Sequence, residues 1–229
     1  MDDSKKEKIN PLQCDGRDFF PWDIFVDFKK SYFERYIKFI RSNVDSETRE
    51  LDKQWEEAKS RKYANSDHRE WESDHLIDEA FHASEVEQLM LRSFIVSVFI
   101  FIEESLNDFS RHLQRSHDQI FSASDMKGMG IDRPITYMEV IFQKKFPFDE
   151  KLREEFKIAR KIRNAIVHND AKLKKEDSSS IAHYFKSSSA IKITQARKAV
   201  LSFEYADSLI RLSDRISKEL SEICQVETR

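Results

Sequence analysis

Residues 160–170 read RKIRNAIVHND, late in a chain whose pattern is otherwise that of ordinary amphipathic helices. They place a cation, an amide and an imidazole together within one apolar segment. Because an ideal α-helix turns by about 100° per residue, Asn164 and His168 lie nearly in line along it. Arg163 falls inside the apolar arc of the same helix. The stretch therefore predicts that Arg163 points towards packed surface and not towards open water.

Arg163 calls for an anionic partner, because a guanidinium does not lose its proton and is rarely buried alone. That partner is a carboxylate, a phosphate or a group at a subunit interface. The simplest interpretation is a structural arginine paired with a glutamate on a facing helix. Glu103, which follows the very apolar residues 94–102, is the expected carboxylate.

The spacing Arg163-Asn164-x-x-x-His168 resembles the Arg-x4-His motif of the HEPN superfamily. Members of that superfamily are small helical bundles and often metal-independent ribonucleases. Residues 101–109, FIEESLNDF, resemble a Phe-Glu-x-x-Leu-Asn run on an earlier helix of some HEPN families, with Glu103 in the glutamate position and Ile102 where an aromatic residue is more usual. The resemblance covers about residues 85–223.

The resemblance implies that Arg163, Asn164 and His168 are catalytic residues. RNA cleavage without a metal needs a group that takes the 2′-hydroxyl proton, a group that protonates the leaving oxygen, and positive charge near the phosphorane. Imidazole exchanges protons near neutral pH, and a guanidinium binds phosphate through a fixed fork of donors. Since one chain supplies a single set of these groups, the resemblance also implies a homodimer whose two motifs face a shared cleft.

The helical spacing places a condition on that site. Arg163 and His168 diverge by about 140° on an ideal helix, so both reach one cleft if the helix ends or loosens near Val167. The pair Asn169-Asp170 is a reasonable terminator. Alternatively, His168 is an exposed imidazole that the helix dipole favours at a C-terminus, with no catalytic role.

Basic residues around the motif are expected to bind RNA. Residues 144–198 hold fifteen Lys and Arg against seven Asp and Glu, a balance of +8, in a chain of net charge −3. Such a segment attracts a polyanion, although lysines on solvated helix faces need no ligand. Arg160 and Glu103 are expected to support the site. Four lysines are expected to contact RNA: Lys161, Lys172, Lys174 and Lys175.

The composition predicts an all-α protein, since only three of the 229 residues are Gly and four are Pro, while 35% are charged. We expect a HEPN-like bundle of four or five core helices, formed as a single domain by residues 22–229. A tail and lead-in at residues 1–21 would precede it. Residues 46–84 have a thin apolar seam and are expected to form a charged helical extension.

Apolar residues that recur every three or four positions predict the main helices, at residues 22–44, 85–115, 135–146, 150–168 and 195–223. Pro134 is expected to open the third of these, Pro147 to stop it, and Asp149 to cap the motif helix. Residues 172–180 are expected to form a mobile basic loop. The ambiguous segment that follows has a short extended piece at residues 191–193 as one alternative.

Metal, cofactor and membrane chemistry are not expected. Two Glu-x-x-His pairs, ending at His75 and His82, resemble those of di-iron bundles, but one helix carries both, and seven residues correspond to about 10 Å of rise. The apolar residues 94–102 are too few to span a bilayer. Only two cysteines occur, at opposite ends of the chain, and the sequence opens without a secretory or transit signal. We therefore expect a reduced, cytoplasmic protein.

The leading interpretation is a metal-independent endoribonuclease of the toxin or phage-defence kind, a role implied by the resemblance alone. Its partners would be RNA, a second copy of the chain, and an antitoxin or a protein of a defence system. The alternative is a HEPN-like module that binds RNA or a nucleotide, or docks a partner, without cutting. A purely structural helical dimer is the third interpretation.

Overall fold

A computed structural model describes residues 22–63, 65–116 and 119–226, with side chains described for residues 29–63, 65–116 and 119–223. The prediction of an all-α fold is confirmed. The described residues form six α-helices: α1 (Trp22–Ser60), α2 (Ser66–Ser116), α3 (Asp132–Phe142), α4 (Glu150–Asn169), α5 (Lys175–Tyr184) and α6 (Phe203–Val226). They also form two short strands, β1 (Ile191–Ile193) and β2 (Ala199–Leu201), which pair antiparallel. Among these residues, no helix is both long and apolar enough to cross a membrane.

The chain packs as two compact units. The first unit comprises the described parts of Met1–Lys29, Phe99–Lys157 and Arg211–Arg229, and the second comprises those of Lys30–Val98 and Ile158–Ile210. Helices α1, α2, α4 and α6 each contribute residues to both units. The expectation of a single domain over residues 22–229 stays a prediction.

The first two helices are longer than predicted. α1 does not end at residue 44 but continues to Ser60, and α2 begins at Ser66 instead of residue 85. Residues 45–60 contain neither Gly nor Pro, so nothing in the backbone stops α1 there. Ion pairs one turn apart support this charged part of the helix, such as Lys59 with Glu56 at 2.7 Å. In the connection after α1, Arg61 forms an ion pair of 2.6 Å with Glu72 of α2.

The core of the second unit is built around the fully buried Phe94 of α2. Its ring packs edge-on against Phe33 of α1, with ring centroids 6.0 Å apart, and lies 5.6 Å from the ring of Tyr36. Leu91, Ile95 and Val98 of α2 are also fully buried. Burial of such side chains stabilises the fold by about 1.5–3 kcal/mol each.

In the first unit, α3 starts and stops earlier than predicted. It begins at Asp132 and ends at Phe142, where Gln143 adopts a left-handed conformation with φ 54°. Pro134 therefore lies inside the first turn, where backbone N–H groups have no partner within the helix, so the N–H that proline lacks is not needed. Pro147 follows the end of α3 and does not cause it.

Two predictions about the chain after α4 are wrong. Residues 172–180 are not a loop throughout, because α5 begins at Lys175, with acidic residues in its first turn and Ile181 fully buried. The last helix begins at Phe203 instead of residue 195, since residues 199–201 form β2. The extended alternative for residues 191–193 is confirmed by β1.

Candidate functional site

Helix α4 begins with the cap that the sequence predicts. The carboxylate Oδ1 of Asp149 accepts a hydrogen bond of 2.6 Å from the backbone N–H of Leu152. One oxygen of Glu219 on α6 accepts the N–H groups of Phe148 and Asp149, at 2.9 and 3.0 Å. Burial raises the pKa of Glu219, and these two backbone hydrogen bonds act in the opposite direction. The start of α4 is thus held by a cap and by a side chain of the last helix.

Helix α4 ends in a tight left-handed turn directly after the motif. The helix continues through Asn169, and Asp170 and Ala171 then adopt φ values of 44° and 61°. The N–H of Ala171 reaches back to the carbonyl of Ala165 at 3.0 Å, and the side-chain amide of Asn169 donates to the carbonyl of Lys172 at 2.6 Å. Asn169 and Asp170 therefore terminate the helix as predicted, and Val167 remains helical.

Arg163, Asn164 and His168 are all at least partly exposed on this helix, but they do not share one face. Asn164 and His168 are exposed and lie one turn apart on the same face, whereas the backbone directions of Arg163 and His168 diverge by about 140°. The guanidinium Nη1 of Arg163 donates to Oδ1 of Asn164 at 3.1 Å. This hydrogen bond turns the cation towards the face of Asn164 and so reduces the divergence.

The expected carboxylate partner of Arg163 belongs to the other unit. Arg163 lies in the second unit and Glu103 in the first, so their pairing stays a prediction. The carboxylate of half-buried Glu103 faces the loop before α3, where a Cβ added to Gly130 would lie 3.2 Å from Oε1. Among the described residues of the second unit, no carboxylate pairs with Arg163.

The basic residues around the motif have different environments. Lys161 forms an ion pair of 2.9 Å with Asp177 and a hydrogen bond of 3.3 Å with Ser180, so this lysine holds α5 against α4. Arg160 is half-buried, and the other predicted RNA-binding residues are exposed: Lys172, Lys174 and Lys175. Three of the four predicted lysines are thus accessible to a ligand, and Lys161 has a structural role.

A buried arginine that sequence reasoning missed supports the end of the motif helix. Arg92 of α2 is only 8% exposed, and its Nη1 lies 2.7 Å from Oδ1 of Asp170. Lys198 pairs with the other carboxylate oxygen of Asp170 at 3.1 Å. The hydrogen bond from Lys198 and the charges of Arg92 and Lys198 hold the pKa of Asp170 below its ordinary value. An arginine two positions before the apolar run of α2 is the signal that could have indicated this cluster.

We expect Asp170→Asn to lower the free energy of unfolding at neutral pH. The pKa of Asp170 is lower in the folded chain than in the unfolded chain. The stability that its carboxylate contributes is therefore fully present above the ordinary pKa of about 3.9, and it is lost as pH falls through the pKa of the folded chain. Urea unfolding of both proteins, from neutral pH down to about pH 3, measures the difference. Asp78→Asn, at an exposed position on α2, is the matched control. A difference that stays constant in acid contradicts this account.

Comparisons of this chain with protein-family models, with curated proteins and with the solved structures found no significant match. The likeness to the HEPN superfamily therefore rests on the motif residues and stays a hypothesis.

Proposed function

We propose that this chain is a metal-independent endoribonuclease of the toxin or phage-defence kind, whose active site forms where the α4 helices of two copies meet. One observation carries the proposal. The hydrogen bond between Arg163 and Asn164 directs a guanidinium towards the exposed face that also bears His168. A cation and an imidazole on one accessible edge are the groups that cleavage at a phosphate requires.

In the proposed reaction, His168 takes the proton of the 2′-hydroxyl, and the 2′-oxygen attacks the adjacent phosphorus. Arg163 stabilises the negative charge of the phosphorane, and Asn164 orients the phosphate or the imidazole. The bond from phosphorus to the 5′-oxygen then breaks, and His168 of the partner subunit protonates that oxygen. The products are a 2′,3′-cyclic phosphate and a 5′-hydroxyl, so no water or oxidant is consumed.

Exposed apolar side chains support association of two copies. Val167, which is 44% exposed, is three and four positions from Asn164 and Arg163 and so shares their side of α4. In the same unit, Val86 and Leu89 of α2 are 40% and 60% exposed. Apolar residues rimmed by polar groups are typical of subunit interfaces. A stable monomer in sedimentation experiments at micromolar concentration contradicts the shared cleft.

Incubation of the purified protein with mixed RNA in EDTA tests the proposed activity. We expect cleavage to continue, because every chemical role in the proposed reaction is filled by a side chain. The products should carry 2′,3′-cyclic phosphate ends, which phosphatase treatment and mass spectrometry identify. Loss of cleavage on chelation contradicts the metal-independent reaction.

The alternative is a module that binds RNA without cutting it. The unbroken helix through Asn169 favours this alternative, since the backbone separates Arg163 and His168 by about 140° and the motif of a single copy has one imidazole. RNA that is retained by the protein and recovered intact supports the binding module. RNA that is neither retained nor cleaved by the protein contradicts both functions.

A further inference from the structure

The β-hairpin after α5 is part of a larger extended surface. Residues 171–173, directly after the motif helix, lie along the free side of β2. The N–H of Leu173 donates to the carbonyl of Arg197, and the N–H of Ala199 donates to the carbonyl of Ala171, both at 2.9 Å. These bonds make Lys172 and Lys198 antiparallel bridge partners. Residues 197–199, where β2 begins, therefore pair with residues 171–173 on the side away from β1.

This extended surface has one apolar face and one basic face. Side chains alternate between the two faces of a sheet. Of the inward ones, Ile193 is half-buried and the others are buried: Ala171, Leu173, Ile191, Ala199 and Leu201. The register pairs Lys192 with Val200, two residues beyond Lys198 on β2. Lys172, Lys192 and Lys198 consequently share the outward face, which we call the lysine face.

The lysine face places two lysines at directly opposite positions. The two backbone hydrogen bonds on either side of Lys172 and Lys198 are made by the adjacent residues and not by the lysines. The lysines are therefore a non-hydrogen-bonded pair, in which the Cα atoms lie about 4.5 Å apart. Like charges directly opposite each other destabilise a sheet. Asp170 pairs with Lys198, but within the described residues neither Lys172 nor Lys192 forms an ion pair. An external anion would balance the charges of Lys172 and Lys192.

The spacing of the lysines indicates the kind of anion. Lys172 lies opposite Lys198, and Lys192 lies opposite Val200, two residues further along β2. The backbones of Lys172 and Lys192 are therefore two strand spacings apart, at about 4.8 Å each, and are also offset by about 7 Å along the strand direction. That separation exceeds the size of one phosphate group, so a small anion does not reach both lysines. A chain of regularly spaced phosphates does. The face also begins four residues after His168, beside the end of the motif helix.

We propose that the lysine face binds the sugar–phosphate backbone of single-stranded RNA and leads it to the motif. This inference rests on the proposed function and adds its substrate class, and it adds Lys192 and Lys198 to the residues expected to contact RNA. A flexible single strand can follow a small, twisted three-strand surface and place successive phosphates against successive lysines.

Salt dependence of binding tests the lysine face directly. The probe is a fluorescently labelled single-stranded RNA, and the protein is the full chain carrying His168→Ala, so that the probe stays intact. Each phosphate contact to single-stranded nucleic acid contributes about −0.7 to the slope of log K against log salt concentration. We expect Lys172→Ala with Lys192→Ala to make the slope shallower by about 1.4 and to weaken binding at low salt.

The matched control replaces two exposed lysines elsewhere, Lys62 and Lys127, with alanine. It removes the same charge and is expected to leave the slope unchanged. An equal slope for the parent and the lysine-face variant overturns the inference, while cleavage by the wild-type protein would still support the proposed function. A shallower slope together with no wild-type cleavage supports the lysine face and contradicts the nuclease. A parent protein that binds no RNA also overturns the inference, and wild-type cleavage again decides the proposed function separately.

Discussion

Replacing His168 with alanine is expected to lower the rate of RNA cleavage by on the order of a hundredfold or more. The imidazole acts in the proton transfers of the transition state more than in ground-state binding, so RNA affinity should stay close to that of the wild type. Melting temperature should also stay unchanged, because His168 is exposed and its ring has no hydrogen-bond partner among the described residues. Single-turnover cleavage, anisotropy with labelled RNA and thermal unfolding measure these three quantities.

His183→Ala is the matched control for this prediction, since His183 is an exposed histidine on the last turn of α5 in the same unit. It should leave cleavage unchanged. Full activity of His168→Ala would mean that the motif spacing is coincidental. The binding module would then be the better interpretation, and the lysine face would be its RNA-binding surface.

Arg163→Ala is expected to lower the cleavage rate by a similar factor, on the order of a hundredfold, because it removes the donor that faces the developing charge. Arg163→Lys should restore only part of the rate, since an ammonium lacks the fork that matches a phosphate. Melting temperature should fall little, because Arg163 is half exposed and its described hydrogen bond is to the neighbouring Asn164. Cleavage assays and thermal unfolding of both variants test this.

A structural arginine would give a different result. If Arg163 mainly offsets the charge of Glu103, Arg163→Ala will destabilise the protein by about 3 kcal/mol. Adding Glu103→Gln will then restore the melting temperature. Restored stability in the double variant would contradict a primarily catalytic role for Arg163.

Local signals allowed the motif helix to be predicted from the sequence. Asp149 caps α4 because a side-chain carboxylate satisfies an N–H group that the first turn leaves unpaired. Asn169 and Asp170 end it, as short polar side chains tolerate the left-handed turn better than most. The predicted end of α1 is too early, because a high density of charge does not mark a boundary: charged residues with good helix propensity continue a helix.

The hairpin and the Arg92 cluster depend on signals that are weak or remote in the sequence. The left-handed position of the hairpin turn is occupied by Arg197, with φ 64°, where Gly or Asn would have indicated a turn. Val200 and Leu201 also fit the helical spacing of the apolar residues that follow, so the sequence pattern predicts a helix where the structure has β2. Arg92 and Asp170 are 78 positions apart, and only tertiary packing brings them together.

The turn after the motif helix restricts which residues a related chain can carry there. Ala171 is fully buried and has a positive φ, a conformation that costs a residue with a Cβ about 1–2 kcal/mol and that glycine adopts freely. A larger side chain at position 171 would have the same strained backbone conformation and would also lack space in the buried site. Homologues that keep this turn should therefore show a small residue, glycine or alanine, three positions after the histidine. His-Asn-Asp-small extends the Arg-x4-His pattern into a longer and more selective signature for finding such relatives.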